Sequence, residues 1–256
     1  MYQIWALAKN TWKEAFRKKD FYVFFIFLLV FLVVLCFENF LNVSGISRYI
    51  KDLGFSLTWI FSLIIAVTFS AKQIPAEIES HTIYPLLAKP ITRLHLILGK
   101  FLGAVIASTI TFSIFYILLA VVSGTKGEGI APVLLVQSWF CAVLFFALIC
   151  AISICFSVFL TLSANITVSF ILYLFVISFA DRIRDLIFLD NGIVSFVCNI
   201  FYYLIPHFEF YDLRLRLVHA WEPLSLGVTA AIFLYTVLYV SFILLITYRG
   251  FARKRL

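Results

Sequence analysis

The chain has 256 residues, of which 64% are hydrophobic and only 13% charged, with a mean hydropathy of +1.08. Soluble domains are close to half apolar and a quarter charged, so these values exclude a water-soluble globular protein and leave an integral membrane protein. The net charge of +7 does not indicate nucleic acid, because the basic residues gather at a few segment ends, as they do in membrane proteins.

The length accommodates several spans of about 20 residues each and no separate soluble domain, so residues 1–256 read as one transmembrane domain. The five cysteines, Cys36, Cys141, Cys150, Cys155 and Cys198, lie in apolar sequence without C-x-x-C spacing. They read as small buried hydrophobes. No cleavable signal peptide is expected, because Glu38-Asn39 follows the first apolar run where a small-residue cleavage site would stand.

Residues 4–17 form an amphipathic helix on a 100° wheel. Ile4, Trp5, Leu7, Ala8, Thr11, Trp12, Ala15 and Phe16 fill one half, and Lys9, Asn10, Lys13, Glu14 and Arg17 the other. The basic face and the two tryptophans at its border predict a helix lying in the cytoplasmic membrane interface, with Trp5, Trp12, Lys13, Phe16 and Arg17 as its anchors. An ordinary positively charged anchor is the alternative.

Six runs are long enough to span, at 20–41, 54–71, 98–122, 133–160, 166–187 and 224–248. Thirteen of the twenty Lys and Arg fall in the N-terminal segment, the loop after the second run and the C-terminus. Both termini are therefore expected in the cytoplasm. No repeat of fixed period and no low-complexity tract interrupts the chain.

The loop from 72 to 97 is more than a link. Pro75 suits the first position of a helix, and Glu77 and Glu79 stand near its positive end. Pro85 and Lys89-Pro90 break the chain before Thr92-Arg93 lead into the third span. A short helix over 75–84 should thus lie across the membrane face. Anionic lipid does not favour carboxylates there. A protein partner accounts for them better, with helix capping plus solvation as the plainer reading.

On the third span, Gly99, Gly103 and Ala107 make a small-residue stripe that admits another helix, within the bundle. Hydroxyls crowd the same span (Ser108, Thr109, Thr111, Ser113) and recur on the fourth at Ser153, Ser157 and Thr161. Hydrogen bonding to helix backbone is their usual fate. If they line a path, it suits an amphipathic cargo. Asn165, between the fourth and fifth spans, reads as a turn or cap residue.

The segment 188–223 is expected outside. Its apolar part, 193–205, is too short to cross as a helix and reads as re-entrant, closed by Pro206. Pro223 is placed in the first turn of the sixth helix. His207, Glu209, Asp212, His219 and Glu222 have metal-ligand chemistry but no firm spacing. The alternation of Leu213, Leu215 and Leu217 with Arg214 and Arg216 suggests a surface element with solvated charges.

Two negatives narrow the driving force. No G-x-x-x-x-G-K-[ST] motif is present, so ATP binding by a Walker motif requires another polypeptide. No ionisable residue stands in the middle of a span, which disfavours ion-coupled transport.

The stretch E-I-E-S-H-T-I-Y-P-L-L-A-K-P-I-T-R, followed by G-K, resembles the segment between the second and third spans of ABC-2-type permeases, the membrane subunits of ATP-binding-cassette exporters. Among these it looks most like the nitrous-oxide-reductase maturation group, in which a glutamate, Thr, a Leu pair, Pro and Arg recur. Glu77 or Glu79, Thr82, Leu86, Leu87, Pro90 and Arg93 take those places. The N-terminal K-N-T-W-K-E-A-F-R-K-K-D-F looks like the family's connector helix, and Ile205-Pro206…Phe208 resembles its external re-entrant segment.

The resemblance implies an all-α, six-span homodimeric exporter subunit in the bacterial inner membrane. Its coupling helix (72–97) would dock on an ABC ATP-binding subunit, and Pro206 and Phe208 would belong to an external gate. ATP and Mg2+ would be held by that partner, with no cofactor, metal or catalytic residue in this chain. Two rival readings are a membrane-embedded metal-dependent enzyme, using the external His/Glu cluster, and an assembly or scaffold factor.

Overall fold

The computed structural model describes residues 2–17, 22, 26, 29, 30, 33, 46–79, 92–125, 131–189 and 205–253. Among them the chain is helical throughout, without strands. In chain order the helices are α1 (Tyr2–Arg17), α2 (Ile46–Lys72), α3 (Pro75–Glu79), α4 (Arg93–Thr125), α5 (Pro132–Phe159), α6 (Leu162–Leu189), α7 (Arg214–Val218) and α8 (Leu226–Arg253). A 3-10 turn at Phe208–Tyr211 precedes α7.

Five helices, α2, α4, α5, α6 and α8, are long and apolar enough to cross a membrane. They match five of the six expected spans. The run at 20–41 lies outside the described residues, apart from Tyr22, Ile26, Leu29, Val30 and Val33, which are helical and exposed. The short polar leads, expected as loops, are helical too. α2 starts at Ile46 and carries Arg48 and Lys51 in its first turns, because an intrahelical bond satisfies the backbone more cheaply than a loop does.

Successive helices alternate in direction. We call the base the end where α2 stops, α4 starts and α8 stops. There the Arg93 guanidinium donates to the carbonyls of Phe251 (3.0 Å) and Ala252 (2.7 Å). α5 occupies the centre: 72% of its apolar stretch is buried, against 22% for α6 and for α8, which present their flanks to the surroundings.

α1 is not a free-lying helix. Its buried Ala8 and Thr11 face α4, where the small-residue stripe receives them. A Cβ on Gly99 would stand 2.5 Å from the Cβ of Leu7, and one on Gly103 equally close to that of Thr11. The contacts advance together by four residues, so the two helices run in the same direction along the base half of α4. The stripe thus serves packing inside the subunit, as its spacing predicts, but its occupant is α1 and not a span. Trp5 remains 59% exposed, outside this contact.

Two expectations need correcting. Pro223 lies ahead of α8 and not in its first turn. Ser225 caps that helix instead, its hydroxyl accepting from the Val228 N–H at 3.4 Å and its carbonyl from the Thr229 N–H. Asn165 is not a turn residue. It is fully buried on α6, where its Nδ2 donates to the Ser153 carbonyl at 3.0 Å and its Oδ1 accepts from Ser169. Ser153 in turn donates to the Val67 carbonyl, so one hydrogen-bonded string joins α2, α5 and α6.

The other membrane hydroxyls mostly bond backbone: Ser108 to Ala104, Thr111 to Ala107, Ser113 to Thr109 and Ser157 to Ile154. That is the ordinary fate of hydroxyls in an apolar helix.

Replacing Gly103 by Val should lower stability by about 1–3 kcal/mol through overpacking against Thr11. Gly124→Val, where a Cβ meets nothing within 4 Å, should be neutral. Thermal unfolding of both variants in detergent checks this, and equal behaviour would refute the α1–α4 packing.

Candidate functional site

Two regions concentrate polar and charged side chains against the helices: the base around α3, and the segment 205–223.

At the base, α3 begins at Pro75, as expected, and its Glu77 carboxylate pairs with the Lys100 ammonium of α4. Both are largely buried, with side-chain exposures of 16% and 5%. Lys100 gains its charge partner about two turns into a hydrophobic helix, and α3 is held against α4 by that contact. Arg93 sits at the other edge of the same patch. It caps the last carbonyls of α8, whose C-terminal end is partly negative, and stacks over the Phe251 ring at 5.7 Å.

Glu77 and Arg93, proposed from sequence as partner contacts, are therefore engaged within the subunit. Among the described side chains of α3, Ala76 is the exposed one. The side chain of Glu79 lies outside the described residues, as do Thr82, Leu86, Leu87 and Pro90. Trp5, Lys13 and Arg17 of α1 are exposed, while Trp12 and Phe16 are half-buried and meet edge to face at 5.8 Å.

The segment 205–223 penetrates the bundle. Phe208 is 2% exposed and Tyr211 fully buried. The Phe208 ring meets Phe145 of α5 at 5.6 Å and Tyr173 of α6 at 5.8 Å. The Tyr211 hydroxyl lies 2.8 Å from Thr236 Oγ1. Thr236 spends its own proton on the Ile232 carbonyl, so Tyr211 is the donor. All these partners stand near the midpoints of their helices.

The same segment carries charge to that depth. Asp212 receives the Arg214 Nε at 2.8 Å and an Nη at 2.6 Å, a bidentate pair. The Arg214 guanidinium lies over the Trp59 ring at 5.2 Å, midway along α2. Burial works against its charge, and the bidentate Asp212 carboxylate is the main group that offsets it. Trp59 stacks on Phe145 at 4.6 Å and donates its indole N–H to the Tyr173 hydroxyl at 3.1 Å.

This corrects the reading of residues 213–217 as a surface element, although the side chains of Asp212, Arg214 and Arg216 stay partly exposed. α7 is helical, so Leu213, Leu217 and Val218 turn inward while Leu215 is exposed. Charge at mid-depth is supplied by a segment that does not span, which inspection of the spans alone misses. An aromatic-rich stretch holding an Asp-x-Arg pair was the available signal.

The exit of the segment is pinned to α5. Gln137 accepts from the Leu224 N–H at 2.9 Å and donates to the Leu224 carbonyl and to Thr229 Oγ1. Arg216 donates to the Glu222 carbonyl, closing the loop on itself. His207 stacks on Phe210 at 5.2 Å, and His219 on Trp221 at 5.6 Å. The side chains considered as metal ligands are thus dispersed: no group of three or more His, Cys, Asp or Glu comes together among the described residues.

A family model, ABC-2 family transporter protein, matches residues 5–256. No curated protein matches the chain.

Gln137→Leu should destabilise the protein by about 1–3 kcal/mol, because the Leu224 N–H and C=O lose their partner. Limited proteolysis should then cut within 219–223 faster than in the wild type. His207 gives a pH dependence. Burial holds its pKa below the usual 6.5, against an upward pull from the Ile205 backbone. The unfolded chain therefore takes up the proton first, and stability should fall as pH drops below about 6.5. His207→Phe should flatten that fall in a pH series of melting temperatures.

Proposed function

The chain belongs to the ABC-2 transporter family, and from that premise we propose that it is the permease subunit of an ATP-driven exporter, working as a homodimer with a separate ATP-binding subunit. It is a multi-pass membrane protein and a transport component by family. The base is its cytoplasmic end, in keeping with the Lys and Arg distribution, and the bacterial inner membrane is its location.

In this reading α3 and the residues after it form the coupling segment on which the ATP-binding subunit rests. The observation that carries the reading is the Glu77–Lys100 pair: it fixes a short helix rigidly to the first turns of a spanning helix. A push on α3 passes directly to α4, and through Arg93 to the end of α8. α1, seated on Gly99 and Gly103, moves with α4. ATP and Mg2+ belong to the partner.

The segment 205–223 acts as the gate on the external side. Phe208 and Tyr211 fill the middle of the bundle, so a cargo crossing within the subunit has to displace them. Pro206 and His207 form its hinge side. The wall it exposes on moving is aromatic with few polar groups, which suits an amphipathic cargo. The likeness to the nitrous-oxide-reductase maturation group rests on residues 77–100.

Co-purification from native membranes, with an ATPase assay, tests the proposal. Wild type should carry a Walker-type subunit, and Glu77→Lys should lose it. Glu77→Lys combined with Lys100→Glu should recover it if Glu77 acts as a strut, and should not if the carboxylate itself touches the partner. A wild-type preparation devoid of any ATPase would overturn the permease reading.

A further inference from the structure

We propose that the polar side of α1 carries a binding cleft for the phosphodiester headgroup of an anionic phospholipid. It rests on the proposed position of α1 at the cytoplasmic membrane surface. The face of α1 opposite the cleft is the one locked onto Gly99 and Gly103, so the cleft is held in a set orientation at the base of the bundle.

The cleft has a volume of about 530 Å³ and is lined by Asn10, Trp12, Lys13, Glu14, Arg17 and Tyr22, among others. Lys13 and Arg17 are one helical turn apart and exposed. Two cations in that spacing form a pincer for one phosphate, with the Arg fork able to take two oxygens. Glu14 lines the same cleft, so among the described lining residues the net charge is +1, the counterpart of the single negative charge of a phosphodiester. A phosphomonoester, nearer −2, fits less well.

The source of the phosphate follows from the other walls. Trp12 and Tyr22 bring amphipathic rings to the same cleft, and such rings favour the zone where headgroups meet acyl chains. A free phosphate gains nothing from them, whereas the glycerol and first methylenes of a lipid do.

The test uses the full chain in neutral detergent, with any subunit that accompanies it, and reads the melting temperature. Phosphatidylglycerol, phosphatidylcholine and inorganic phosphate are added separately. Phosphatidylglycerol should raise the wild-type melting temperature by about 3 °C at ten times its Kd, and phosphatidylcholine should not. Lys13→Gln with Arg17→Gln should abolish the rise. Lys9→Gln, altering an exposed lysine on α1 that does not line the cleft, should preserve it.

An equal rise with inorganic phosphate would overturn the lipid as ligand. An equal rise with phosphatidylcholine, or one retained in the double variant, would overturn the site. If Lys9→Gln removes as much of the response as the double variant, the basic face acts diffusely and no cleft exists, while the interfacial position of α1 stands.

Discussion

Phe145 is the residue on which the bundle converges. It is fully buried on the most enclosed helix, and five aromatic rings meet it: Trp59, Phe146, Tyr173, Phe208 and Tyr211. In a membrane, lipid tails are as apolar as the side chains, so helices associate through close packing and hydrogen bonds and not through removal from water. A large rigid ring touched from two other helices and from the segment 205–223 supplies such packing at one point. Replacing any one of these rings by a smaller side chain leaves a void that its neighbours share.

The segment 205–223 depends on that cluster and also brings in what the spans lack. Its backbone leaves the helical ladder, which an apolar medium tolerates only where protein satisfies the freed groups. Tyr235 does this for the His207 N–H, Thr236 receives the Tyr211 hydroxyl, and Gln137 closes the Leu224 amide on both sides. Asp212 and Arg214 neutralise one another, and Trp59 offers its ring face to the guanidinium. The charges of the segment are thus paired within it and do not depend on the spans.

The base is organised by fewer and more specific ties. A buried ion pair gains little net stability, since desolvation offsets the attraction, but it tolerates no other register. Glu77 with Lys100, and Arg93 with the end of α8, therefore fix where α3 sits more than they hold the fold together. The Asn165 string plays the same part between α2, α5 and α6. Specific polar ties at the base and aromatic packing at mid-depth are thus the two modes of attachment in the bundle.

Hydropathy and the placement of charges made the class, five of the spans, the amphipathic α1 and the start of α3 legible from sequence, because each is a local property of a window of residues. The small-residue stripe was legible as a contact, though not its occupant. Apolar faces toward lipid, a neighbouring helix or a second subunit look alike in one dimension. The inward turn of Leu213 and Leu217 was hidden by an alternating pattern that a short helix also allows. Only tertiary structure placed Arg214 over Trp59, Glu77 on Lys100 and Arg93 at the end of α8, since each contact joins residues distant along the chain whose pairing no local pattern encodes.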